Sequence, residues 1–220
     1  MIAFTFWDLA RNLLLAARWT LLLSAIAFIG GGLGGLALLV LRVARARAAR
    51  EAAKLYIEVF QGTPLLMQLF LVFFGLPLLG VEVSPWLAAT VSLSLYASAY
   101  LAEIWRGCVD AIPLGQWDAS ASLGMRYLMQ LRLVILPQAL RMAVPPTVGF
   151  LVQLVKSTAL ASIIGYNELT KTGQILTNAT FQPFTIYALV AVIYFIMCYP
   201  LTSCARSLER RLGTAWNQAE

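Results

Sequence analysis

Histidine does not occur in this 220-residue sequence, and Asp, Glu, Lys and Arg together make up only 12% of it, about half the share of an ordinary soluble domain. The first absence removes the commonest zinc ligand, the imidazole acid–base and an intramembrane Ser–His hydrolase. The second removes the soluble globular class, because 60% of the residues are hydrophobic and the mean hydropathy is +0.79. Cysteine is confined to Cys108, Cys198 and Cys204 with no CxxC spacing, which points to small buried hydrophobes rather than a disulfide or a metal site. A basic n-region and a small-residue cleavage site are also missing. Met1 to Arg18 therefore reads as an amphipathic interfacial segment, with Phe4, Trp7 and Trp19 suited to headgroup depth, rather than as a removable signal.

What remains is a series of apolar runs separated by basic gaps. Five spans are expected, at about Trp19 to Leu41, Thr63 to Leu79, Trp86 to Ile104, Ala139 to Leu160 and Pro183 to Cys204. The first is long enough to cross ~30 Å of hydrocarbon at 1.5 Å per residue. The net charge of +6 does not indicate a nucleic-acid binder, since the cations lie in the gaps and not on one soluble face. Arg42, Arg45, Arg47, Arg50 and Lys54 share one gap, Arg106, Arg126, Arg132 and Arg141 another, and Arg206, Arg210 and Arg211 the tail. These are twelve of the sixteen basic residues. The positive-inside rule then gives one topology: an all-α polytopic membrane protein, a single domain over 1–220, with its N-terminus outside and its C-terminus inside.

Two motif matches fail on context. Gly30, Gly32 and Gly35 fit GxGxxG, but apolar helix flanks them instead of a βαβ unit. Gly30 with Gly34, and Gly31 with Gly35, are better read as small-xxx-small pairs for close helix packing, within this chain or against a second one. The Lys156–Ser157–Thr158 triplet lacks the glycine that precedes the lysine of a P-loop.

The longest interval of mixed polarity runs from Ala99 to Arg141, with a loop at about residues 105–138 too polar for hydrocarbon. Gln116 to Leu123 has helix-compatible composition, with Trp117, Ser120 and Ala121 on one face. Gly124 is suited to φ > 0 and ends that turn. Tyr127, Leu128, Leu131, Val134 and Ile135 form an apolar stripe for a second helix, which Pro137 is expected to stop.

The stretch DASASLGMRYLMQLRLVILP resembles the EAA loop of ABC-importer permeases, with Asp118, Ala119, Ser120, Gly124, Val134, Leu136 and Pro137 at the matching positions. Asp stands for the usual Glu and Ser for the second Ala. YIEVFQGTPLLMQLFLVFFGLP, AYLAEIWRGCVDAIPLGQWDAS, LPQALRMAVPP and LVKSTALASIIG are similar to the polar amino-acid, histidine/glutamine-type branch of that family, with Gln61 where the branch commonly has Arg. The resemblance implies the transmembrane subunit of an importer of polar or charged amino acids, working by alternating access. Its implied partners are a second permease subunit, identical or related, an external binding protein and a cytoplasmic ABC ATPase dimer that holds ATP and Mg. No cofactor is expected on this chain. Coupling falls to the Gly115 to Leu123 helix, through Gly115, Gln116, Trp117, Asp118, Ala119, Ser120 and Gly124. A self-contained channel or secondary transporter is the alternative, opposed by the want of an inverted repeat.

Ionisable groups inside spans complete the list of candidates. A charge at a span's centre costs roughly 2.5–3.5 kcal/mol on insertion scales. Lys156 either contacts a substrate carboxylate, with Gln153, Ser157 and Thr158 adding hydrogen bonds, or snorkels to the outer headgroups. Glu103 either pairs with Arg106 one turn on or balances a cationic substrate. Pro145 and Pro146 free backbone carbonyls in the preceding turn of the fourth span.

Overall fold

The computed structural model describes residues 5–42 and 46–217, with side chains as far as Arg211. Phe4 and Arg45 lie outside the described residues. The order is α1 (Phe6–Arg42), α2 (Arg47–Gly62), α3 (Leu65–Leu78), α4 (Pro85–Asp110), α5 (Leu114–Ser122), α6 (Tyr127–Ser162), α7 (Leu169–Thr180) and α8 (Pro183–Asn217). Among the described residues there is no strand. Helices α1, α4, α6 and α8 are long and apolar enough to cross a membrane, and α2 with α3 makes a fifth crossing only as a bent pair.

The expected second span, Thr63 to Leu79, coincides with α3, and what differs is the segment before it. The segment read as a basic loop is largely helical from Arg47, and it meets α3 at a bend of 105°. Thr63 precedes Pro64 and is forced extended (φ −111°, ψ 140°). The corner is then held by Gln68, whose Nε2 donates to Phe60 O (2.9 Å), Thr63 O (3.1 Å) and Thr63 Oγ1 (2.9 Å).

Helix α4 is the hub. Its start is specified locally, with Pro85 at the first position and Ser84 Oγ accepting from Leu87 N at 3.3 Å. Its small residues receive the glycines of α1. A Cβ on Gly31 would lie 2.3 Å from Ala97 Cβ, one on Gly34 2.8 Å from Ser98 Cβ, and one on Gly30 2.9 Å from Ser94 Oγ. The matched numbering makes α1 and α4 parallel neighbours, so the glycine pairs serve packing within the chain.

Helix α6 runs antiparallel to α4. Tyr100 stacks on Phe150 (centroids 5.6 Å, 13°), and Trp105 Nε1 donates to Thr147 Oγ1 at 3.0 Å. Pro137 does not stop this helix. A π-turn at Leu131–Ile135 precedes it, as another at Leu71–Gly75 precedes Pro77 in α3. Proline offers no N–H to the carbonyl four residues back, and widening the turn by one residue lets the chain continue. The helix also runs unbroken through Pro145 and Pro146.

The interval between the expected fourth and fifth spans is mostly helix α7. Gly173 lets it approach α8, since a Cβ there would lie 2.8 Å from Val190 Cγ2.

Candidate functional site

Two regions gather the expected functional residues. The first is α5, which follows the break at Pro113 and ends where Gly124 takes φ +75°, as its sequence suggests. Of its side chains only Ser120 is buried and Trp117 half-buried; Gly115, Gln116, Asp118, Ala119 and Ala121 are exposed, as is Gly124. Trp117 packs among Ile112, Ile135 and Ala139 and stacks on Tyr127 at 5.9 Å, 17°. Ser120 Oγ donates to Trp117 O at 2.9 Å. The helix is thus pinned at its middle to α6 and to the turn at Ile112, and leaves most of the rest of its surface exposed.

The expected stripe behind it is only partly buried. Ile135 is fully buried and Leu131 and Val134 pack beside it, whereas Leu128 is 74% exposed. The π-turn rotates the residues on its two sides relative to each other, so an α-helical stripe is not preserved across it.

The second region is the seam of α6 and α8. Lys156 from α6 and Tyr194, Tyr199, Thr202, Ser203 and Arg206 from α8 line a groove of about 640 Å³. Val152 and Val155 pack against Cys198 and Met197, which sets Lys156 level with residues near 197. At 1.5 Å per residue that is roughly 21 Å from Pro183 and 13 Å from Arg206. A lysine side chain reaches about 6 Å, short of either distance.

The expected companions of Lys156 divide. Gln153 is exposed beside it and Ser157 donates to Gln153 O at 2.9 Å. Thr158 is a correction: it is fully buried and its hydroxyl donates to Val155 O at 2.8 Å, so it faces the core.

Glu103 belongs to neither region. It accepts from Arg42 Nη2 at 2.6 Å and from Arg106 Nη2 at 2.8 Å, and Arg106 in turn pairs with Asp110. Trp105 aligned with Thr147 places Glu103 near the level of residue 147, about 13 Å along the axis from Lys156. Both carboxylate oxygens are engaged by arginines: the pair with Arg106 is the first of the two expected readings, and Arg42 extends it into a tie between α1 and α4.

One polar centre was not anticipated. Glu168 is fully buried between α1, α7 and α8, accepting from Thr20 Oγ1 (3.1 Å), Tyr194 OH (2.9 Å) and Lys171 N (2.9 Å). Next to it, burial and the Glu168 carboxylate push the Tyr166 phenol up to about 12, so it stays protonated at neutral pH. The signal available was an isolated Glu three residues before Lys171, but glutamate is not a favoured N-cap.

Fold and site together define a helical, multi-pass membrane protein that holds an ordered water-side helix on its core. The model of binding-protein-dependent transport system inner membrane components matches residues 30–214, and the chain belongs to that family. It is a multi-pass protein of the bacterial inner membrane and a permease component, not a catalyst. It is 38% identical over 193 residues to the probable amino-acid ABC transporter permease protein YckA of Bacillus subtilis (strain 168), covering 88% of this chain and 85% of that protein. It is 35% identical over 208 residues to the glutamine transport system permease protein GlnP of Escherichia coli (strain K12), covering 94% and 95%. A crystal structure of an amino acid ABC transporter with histidines superposes with a TM-score of 0.90 at 32% identity, over 96% of this chain and 100% of that one. An inward-facing form of the MetNI methionine ABC transporter, at 22% identity and a TM-score of 0.74, shares the fold.

Proposed function

We propose that this chain is the transmembrane subunit of an ATP-binding-cassette importer that carries polar or charged amino acids into the cytoplasm by alternating access. The observation that carries the reading is α5: a short helix fastened to the membrane body at Trp117, with Ser120 buried and the rest exposed. That arrangement suits a rigid lever seated in a groove of a cytoplasmic ATPase, which holds ATP and Mg. Gly115, Gln116, Asp118 and Ala119 form its contact surface, and Gly124 sets its exit. The ATPase dimer, an external binding protein and a second permease subunit complete the assembly, with residues 105–138 as the coupling loop. The N-terminus is outside and the C-terminus inside, which keeps Arg42, Arg106 and Arg206 at the cytoplasmic end.

Transport of amino acids is supported by the relatives, which include amino-acid and glutamine permeases. Lys156 and Gln153 at mid-depth, with Ser157 beside them, supply polar contacts for the passing substrate, because a lysine held there without an ion pair needs an anionic or hydrated partner. Closure of the ATPase pair moves α5, and α6 transmits that motion to the groove.

The test is a cysteine cross-link. Asp118→Cys should capture the ATPase that co-purifies with this chain, and Asp118→Trp should uncouple ATP hydrolysis from uptake while the protein stays in the membrane. Full coupling in the tryptophan variant would remove α5 from the mechanism.

A further inference from the structure

Helix α5 and the first turn of α6 are tied into one piece. Gln130, buried at the end of that turn, donates from Nε2 to Met125 O at 2.8 Å and so holds the Gly124 loop, while Tyr127 stacks on Trp117 at 5.9 Å. Beyond Gln130 comes the wide turn Leu131–Ile135, where Leu136 N donates to Leu131 O, and then the rest of α6. The wide turn is therefore the joint between the mount of α5 and the span.

Trp117 touches both sides of that joint: Tyr127 before it, and the cluster of Ile135 and Ala139 at and beyond its end. In an unbroken α-helix, at about 100° per residue, Ile135 and Ala139 would stand about 80° and about 120° round from Tyr127. The wide turn takes up one extra residue, which removes about 100° and leaves both within about 20° of Tyr127. In this phase the three side chains share one face for the indole. Pro137 enforces the phase, because it has no N–H for Leu133 O and its ring crowds that carbonyl, so a regular turn is closed to it. Gln138 clips the result: its Nε2 donates to Val134 O at 2.8 Å and to Gln116 Oε1, on α5, at 3.4 Å.

We propose that Pro137 is a positioning residue for coupling: by keeping Leu131–Ile135 wide, it sets the rotation at which α5 is mounted on α6. It acts through Tyr127 and Trp117. The inference rests on the reading of α5 as the ATPase contact and adds the residue that aims it. Without the proline the turn is free to close to α, and Tyr127 swings about 100° away from Ile135 and Ala139. Removing one residue from the closed turn returns the phase, since Ile135 then follows Tyr127 by seven positions instead of eight. Leu133 is 62% exposed and can be spared.

The test uses the whole transporter, isolated by a tag on this chain and placed in vesicles with its ATPase and external binding protein. Uptake of a radiolabelled mixture of amino acids is read per ATP hydrolysed, and the Asp118→Cys cross-link separately reports whether α5 meets the ATPase. Pro137→Ala should lower uptake per ATP about tenfold at a normal level in the membrane, the order of loss when a working group is misplaced from a distance. Pro137→Ala with Leu133 deleted should recover the wild-type ratio, whereas deletion of Leu133 with Pro137 kept should not. Pro77→Ala, the same change beside the wide turn Leu71–Gly75, none of whose residues is buried, should leave the ratio unchanged.

A wild-type ratio in Pro137→Ala overturns the role of Pro137. Equal loss in Pro137→Ala and its Leu133-deleted form does so too, since the proline would then serve stability alone, as does an equally deep loss in Pro77→Ala. If Pro137→Ala does not accumulate, the Leu133-deleted form decides: the wild-type ratio supports the role and an uncoupled complex overturns it. A wild-type chain that neither cross-links to the ATPase through Asp118→Cys nor takes up label overturns the α5 reading beneath the inference.

Discussion

Single residues decide which helices touch. Gly31 sits where a methyl group would lie 2.3 Å from Ala97 Cβ, while Gly32, one position on, has only Trp105 at 4.0 Å. Gly31→Ala is therefore expected to force α1 away from α4 and lower stability by about 1–3 kcal/mol, and Gly32→Ala to be tolerated. Thermal unfolding of the detergent-solubilised protein separates the two. Glu168 makes a comparable contrast. Glu168→Leu removes the acceptor for Thr20, Tyr194 and Lys171 N and should cost about 1–3 kcal/mol. Glu168→Gln keeps an acceptor oxygen and should cost less. Equal melting temperatures for the two would mean that the hydrogen bonds are not what holds α7 in place.

At the scale of elements, bends and wide turns place the helices that hydropathy can only count. The corner between α2 and α3 depends on Thr63–Pro64 and on the amide of Gln68. Gln68→Leu should loosen it, which hydrogen exchange of the α2 amides would register as faster opening. Helix α5 depends in the same way on Trp117. Trp117→Ala deletes the stack on Tyr127 and the packing on Ile112 and Ile135. The expected outcome is a chain still present in the membrane at normal level but recovered with much less ATPase. Undiminished recovery would show that α5 needs no mount.

For the whole molecule the open quantity is direction across the bilayer. Phe184, 89% exposed at the start of α8, and Asp118 in α5 lie towards opposite ends of the bundle. With the N-terminus outside, Phe184→Cys should react with an impermeant maleimide on intact cells, and Asp118→Cys only after the membrane is opened. The reverse pattern would invert the topology. At this scale the resemblance of the loop sequence to a permease family and the superposition at a TM-score of 0.90 meet: the same chain carries both.

The amino-acid sequence by itself determined the class, the positions of the long apolar helices, the Gly124 turn and the family. Each of these is written in contiguous residues, as an apolar run, a glycine at a break or a motif with fixed spacing. Only the tertiary structure decided that Glu103 joins Arg42 across 61 positions, that Thr158 faces the core, that Glu168 is buried under Thr20 and Tyr194, and that Arg206 shares a groove with Lys156. The reason is the same in every case. A side chain's partner is set by which faces of distant helices meet, and at Pro77 and Pro137 a preceding π-turn shifts the face presented by the residues before it.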